Sequence, residues 1–143
     1  MTDFPAGRRK LLLAEIGESD SNLLRVVVTD MQPSEEVSNS PVGPARRLLP
    51  DPSSSVELIW ESYIAYAVRN ESFFQAEEGE LQYGSNLHVR ESSAFLDYVA
   101  KTTTASPTFP GPFQHWALYT LNHCLDVVSC EQPRIRRIDG ATS

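Results

Sequence analysis

The run Val56 to Phe74, VELIWESYIAYAVRNESFF, constrains this chain more than any other segment. Val56, Leu58, Trp60, Ile64, Tyr66 and Val68 share one parity, interrupted only by Ser62; the other carries Glu57, Glu61, Arg69 and Glu71 beside Ile59 and Tyr63. Period 2 in β-branched and aromatic residues is the pattern of a half-buried strand. A single strand of this length exceeds the usual five or six residues by about a factor of two. It would have to bend around a barrel or cross a curved sheet.

The flanking segments add strands rather than helices. Lys10–Gly17 and Asn22–Met31 read as an antiparallel pair joined by the polar stretch Glu18–Ser21. Tyr83–Arg90, His115–Leu121 and Cys124–Cys130 follow, and Arg134–Ile138 makes a short edge strand with Arg134 and Arg136 on one face. Ser92 and Ser93 are N-cap candidates for an amphipathic helix, with Phe95, Leu96, Val99 and Ala100 on one stripe. The expected fold is α+β and predominantly antiparallel β. It is a curled sheet or partly open barrel of about six strands, with one main helix around 92–102.

Two segments break this pattern. Residues 33–54 hold five of the ten prolines and a run of three serines, without apolar periodicity. Proline this dense argues against a ladder, so the segment reads as a mobile loop within a single domain spanning 1–143. Gln75–Gln82 is acidic and reads as a connecting loop. By contrast, Pro107–Trp116 should be stiff. Pro110 and Pro112 fix two φ angles around Gly111, while Phe109 and Phe113 can staple the turn onto the domain.

A length of 143 residues with 41% hydrophobic content suffices for one packed core. No window is long and apolar enough for a membrane-spanning helix, and the stretch after Arg8–Lys10 is too short for a signal peptide. Cytoplasmic location is the expectation. Reduced thiols fit it, since Cys124 and Cys130 on one strand would lie about 20 Å apart.

The net charge of −7 is concentrated: seven acidic residues stand against Arg69 alone between Asp51 and Glu80. This excludes phosphate-backbone recognition, which needs clustered Lys and Arg, and suits a basic protein partner. Glu57, Glu61 and Glu71 with Tyr63 form the candidate contact face, Tyr63 as the aromatic anchor.

Chemistry is thinly signalled. His88, His115 and His123 lack metal-ligand spacing, so neither metal nor cofactor is expected. Cys124, a nearby histidine and Asp126 are the residue types of a thiol nucleophile, without its spacing; the parity holding Asp126 is expected to be solvated. The acidic pairs Glu57/Glu61 and Glu77/Glu78 have no accompanying pocket motif.

Four segments together resemble a group of small acidic bacterial proteins of unknown biochemical activity. They are Ser62–Phe73 (SYIAYAVRNESF), Ser93–Val99 (SAFLDYV), Phe109–Trp116 (FPGPFQHW) and Leu121–Ser129 (LNHCLDVVS). Such proteins are similar to barrel-type immunity proteins that neutralise polymorphic toxins. The resemblance spans roughly residues 56 to 135 and brings no catalytic residue with it. It implies a non-enzymatic protein-binding module of the immunity or inhibitor type. The alternative from composition alone is a small-ligand-binding β-barrel, or an enzyme using its interior through His115 or His123.

Overall fold

The computed structural model describes residue 4 and residues 9–73 and 86–138. The elements are β1 (Leu11–Asp20), β2 (Leu23–Ser40), β3 (Gly43–Trp60), β4 (Tyr63–Asn70), a 3-10 turn (Glu71–Phe73), β5 (Leu87–Arg90), α1 (Ala94–Thr102), β6 (Gln114–Tyr119), β7 (His123–Ser129) and β8 (Arg134–Ile138). The fold is α+β and dominated by antiparallel strands, with one main helix. Among the described residues the strands number eight rather than six. They form two four-stranded sheets, β1-β2-β3-β8 and β4-β7-β6-β5.

The run from Val56 is therefore not one strand. Glu61 and Ser62 make a two-residue corner that ends β3 in the first sheet and starts β4 in the second. The two strands keep the same alternation across the corner, so periodicity could not separate them; Ser62, the break in the apolar parity, marks the place. A register shift between Tyr63 and Ala65 then turns Ile64 away from the side of Trp60.

The sheets face each other through one core. Leu13, Leu24, Val26, Leu58 and Trp60 of the first meet Leu87, Trp116, Leu118, Leu125 and Val127 of the second. Burying side chains of this size supplies about 1.5–3 kcal/mol each before entropy is counted. Two asparagines clasp the sheets together. Asn122, in the β6–β7 turn, accepts from the Leu13 N–H and donates to the Leu13 carbonyl. Asn86 does the same for Arg9 while also donating to the Tyr119 carbonyl.

On the outer face of the second sheet lies α1. Ser93 caps it, its Oγ accepting from the Leu96 N–H at 3.0 Å. Asp97 in the first turn and Lys101 in the last complement the helix dipole. Leu96 and Val99 pack with Val128, Ile64, Ala65 and Phe113. Phe113 thus holds its loop to the domain as expected, but Phe109 does not: it is 73% exposed. Gly111 takes φ +134, the freedom that its neighbouring prolines lack.

Most of residues 33–54 are paired in a hairpin rather than looped, with residues 34–36 and 51–54 left without a ladder partner. The ladder between β2 and β3 runs through Pro33–Leu48, Asn39–Pro44 and Met31–Pro50 to the tip at Ser40–Gly43. Proline is tolerated here because, among the described residues, neither strand has another ladder neighbour beyond Met31, whose N–H still donates to the Lys10 carbonyl: β1 pairs with β2 up to Asp30, and β8 with β3 from Ser55. A proline can turn its nitrogen to such an open edge. Pro41 precedes Val42 and then Gly43 at φ +116, a turn signal in the sequence that reveals the hairpin. The acidic segment 75–82 and residues 83–85 lie outside the described residues.

Candidate functional site

The four residues expected to form one contact face occupy separate places. Glu57, on the outer face of the first sheet, is buried. Its carboxylate is held by Arg25 Nε at 2.6 Å and by Arg136 Nη2 at 2.9 Å. Burial alone would raise its pKa, but the Arg25 hydrogen bond and the two guanidinium charges outweigh this and hold it below its ordinary value. Glu57 is a structural anion and presents no free charge to a partner. Glu61 is exposed at the corner and pairs with Arg134 at 3.1 Å.

Tyr63 is half-buried. Its hydroxyl donates to Glu18 Oε2 at 2.6 Å, and its ring meets Tyr66 edge-on at 4.9 Å. The bond to Glu18 and partial burial push its pKa up to about 12. Tyr63 therefore fastens β4 to β1 rather than standing free. Glu71 is exposed in the 3-10 turn at the other end of β4, about 25 Å along the strand from Tyr63.

The most concentrated polar chemistry lies beneath α1. His115 on β6 and Asp126 on β7 share the outer face of the second sheet with Ala117 and Val128, where a solvated surface was expected. Ser93 Oγ is 2.8 Å from His115 Nδ1, His115 Nε2 is 2.7 Å from Asp126 Oδ1, and Arg69 Nη2 is 2.9 Å from Asp126 Oδ2. Ser93, His115 and Asp126 are all buried. One protonation pattern satisfies every atom. The Ser93 hydroxyl donates to Nδ1, Nε2–H donates to Asp126, and the charge of Asp126 is met by Arg69.

These are the residue types of an acyl-transfer triad, but their roles differ from it. In such a triad the serine uses Nε2 and the acid Nδ1; here the order is reversed. The Ser93 oxygen is also engaged by the helix, and the site is closed to solvent. Pockets of about 220 to 280 Å³ lie elsewhere, lined around Ile16 and Glu18, around Ile59 and Arg134, and around Tyr63 and Cys130. The Ser93–His115–Asp126–Arg69 chain is a clamp between α1 and the second sheet. Sequence reading missed Ser93 in this role, although one histidine and one acid on otherwise apolar parities of adjacent strands were a usable signal.

The exposed element is the arm formed by Met31–Ser40 of β2 and Gly43–Pro50 of β3. Opposed residues share a face, so one face carries Met31, Pro33, Val37, Pro44, Leu48 and Pro50 around the polar Asn39 and Arg46. Val37, Leu48 and Leu49 are 53%, 36% and 43% exposed, and Val42 at the tip is 96% exposed. An irregularity between Pro33 and Val37 leaves Glu35 and Glu36 without ladder partners, between the Pro33–Leu48 and Val37–Arg46 pairs. Among the described residues no ion pair joins these acids to Arg46 or Arg47; Arg46 Nη1 reaches the Ser34 carbonyl at 3.5 Å.

Among the described residues no cluster of three His, Cys, Asp or Glu could hold a metal ion, and no helix is long and apolar enough to cross a membrane. Cys124 and Cys130 form no disulfide, and burial together with Glu131 pushes the Cys130 thiol up. No protein family, curated protein or solved structure matches the chain.

Proposed function

We propose that this chain is a non-enzymatic protein-binding module with an immunity or inhibitor role toward a basic partner, and that its β2–β3 arm is a docking element distinct from the acidic residues that would meet that partner. The observation that carries the reading is the arm itself. An isolated two-stranded ribbon is marginal in water, and this one keeps valine and leucine side chains exposed on both strands. Such a ribbon gains order when a partner covers it. The acid surplus of the chain, net −7, would speed encounter with a basic surface. Of Glu57, Glu61 and Glu71, the last two are exposed. The immunity-type role rests on the resemblance of residues 56–135, and cytoplasmic location on the sequence and on two cysteines not joined in a disulfide.

The test is affinity capture with the immobilised chain, comparing wild type with the arm variants Leu48→Asp and Val42→Asp. A partner retained by wild type and lost by both variants, with an association rate that falls as salt rises, supports the reading. A partner retained equally by all three removes the arm from it. The second reading, a small-ligand-binding barrel or an enzyme using its interior, is less favoured: among the described residues Trp60, Trp116 and their neighbours pack between the two sheets, and neither His115 nor His123 lines the three pockets named above.

A further inference from the structure

We infer that the partner of the arm is a second copy of this chain, bound through the arm's apolar face in a two-fold symmetric contact. The inference rests on the reading that the arm is the docking element, and names what docks there. Three features of the arm fit a copy of itself. Its largely apolar face, centred on Val37 and Leu48, is exposed. Its charges are of both signs, Glu35 and Glu36 on one strand and Arg46 and Arg47 on the other. These charges are not cancelled within the chain, since no ion pair joins them among the described residues.

In a two-fold contact each residue that touches a second one is touched by it in return. Arg46 of one copy then meets Glu35 or Glu36 of the other, and the reverse pair forms at the same time. A partner of one sign would satisfy only half of this set; a second copy satisfies both halves. Arg46 also lies on the apolar face, so covering that face without an acidic group nearby would bury an unpaired charge. The open edges are less suitable for pairing. Pro33 on β2 and Pro44 and Pro50 on β3 remove ladder donors, which directs association to the face instead of the edge.

The contact is small. A ribbon face about 25 Å long and two strands wide falls well below the roughly 800 Å² per partner of a stable complex, so the dimer is reversible and concentration-dependent.

Sedimentation equilibrium of the full chain over about 1 μM to 0.5 mM tests this range of weak affinities. Wild type should shift from monomer to dimer. The variant Arg46→Glu, and separately the double variant Glu35→Arg/Glu36→Arg, should each associate at least tenfold more weakly, because each places like charges across the two-fold axis. Mixing the two variants should restore association, since both cross-pairs are then of opposite sign. All these positions are exposed, and unchanged circular dichroism would show that the variants fold. A wild type that stays monomeric throughout, variants that dimerise as well as wild type, or a mixture that fails to recover overturns the proposal. A monomer that still captures a different protein through Leu48 overturns only the identity of the partner and leaves the binding-module reading in place.

Discussion

His115 Nε2 donates to Asp126 Oδ1 across 2.7 Å, joining the two central strands of the second sheet on the face that carries α1. Through Nδ1 the same ring receives the hydroxyl of the helix cap, so the strand pair and the helix share one hydrogen-bonded chain. Removing one member strands the others in a dry site. Asp126→Asn or His115→Ala should therefore lower stability by about 3–5 kcal/mol, as for a broken buried pair, and Ser93→Ala by about 0.5–2 kcal/mol, as for a lost cap. Urea unfolding checks both, and a double-mutant cycle should show strong coupling between Ser93 and His115. Independent, additive losses would mean that the chain does not act as one clamp.

Glu57 sets an acid limit on the first sheet. Its folded pKa lies below the ordinary 4.5, so its contribution to stability is present above the unfolded value and is lost as pH falls through the folded one. The stability difference between wild type and Glu57→Gln should be constant near neutrality and shrink below about pH 4.5. Denaturant midpoints at pH 7 and pH 3 give the answer; a difference that persists unchanged in acid excludes the two arginine pairs as its source.

Tyr63 marks the alkaline end. Its folded pKa of about 12 exceeds the ordinary 10, so the Glu18 bond contributes fully below pH 10 and is lost as pH rises through 12. Alkaline difference absorbance should show a late-titrating tyrosine that disappears in Tyr63→Phe and moves to lower pH in Glu18→Gln. Titration of Tyr63 at its ordinary value in wild type would refute the bond.

The indole N–H groups of Trp60 and Trp116 are buried and have no acceptor among the described residues. An unmet buried donor costs about 1–3 kcal/mol, which offsets the packing lost on truncation to phenylalanine. Trp60→Phe and Trp116→Phe should each cost less than Leu118→Ala, for which about 2–5 kcal/mol is expected. Thermal or urea unfolding of the three variants ranks them directly.

Hydrogen exchange should separate body from arm. Amides of Trp116 to Tyr119 sit between two partner strands and should be among the slowest. Those of Val37 to Arg46 belong to a ribbon that has no third strand among the described residues and should exchange orders of magnitude faster in dilute solution. Equal rates would show the arm to be as stable as the sandwich.

Local chemistry carried much of this fold. The alternation in Leu24–Thr29, Val56–Trp60 and Arg134–Ile138, and the serine ahead of Phe95 and Leu96, are properties of single segments, and each became the strand or helix that it signals. The arm was less legible, because proline density signals a loop wherever the neighbouring strands are unknown. Only the partner-free edges of β2 and β3 make Pro33, Pro44 and Pro50 acceptable in a ladder.

The sequence by itself determined that the chain is antiparallel β with one capped helix, since period-2 burial and capping are decided within a few residues. Tertiary structure alone decided where the chain turns from one sheet to the other and which charges stay free. At Glu61–Ser62 the apolar residues resume on the same parity after the single break at Ser62, and the division into two strands is fixed only when β4 pairs with β7 and β3 with β8. Glu57 reads as surface acid until Arg25 and Arg136 arrive from strands 32 and 79 residues away to neutralise it. Asp126 reads as solvated until Arg69, His115 and Ser93 converge on it. Burial of a charge is decided by its partners, and partners distant in sequence meet only in the folded chain.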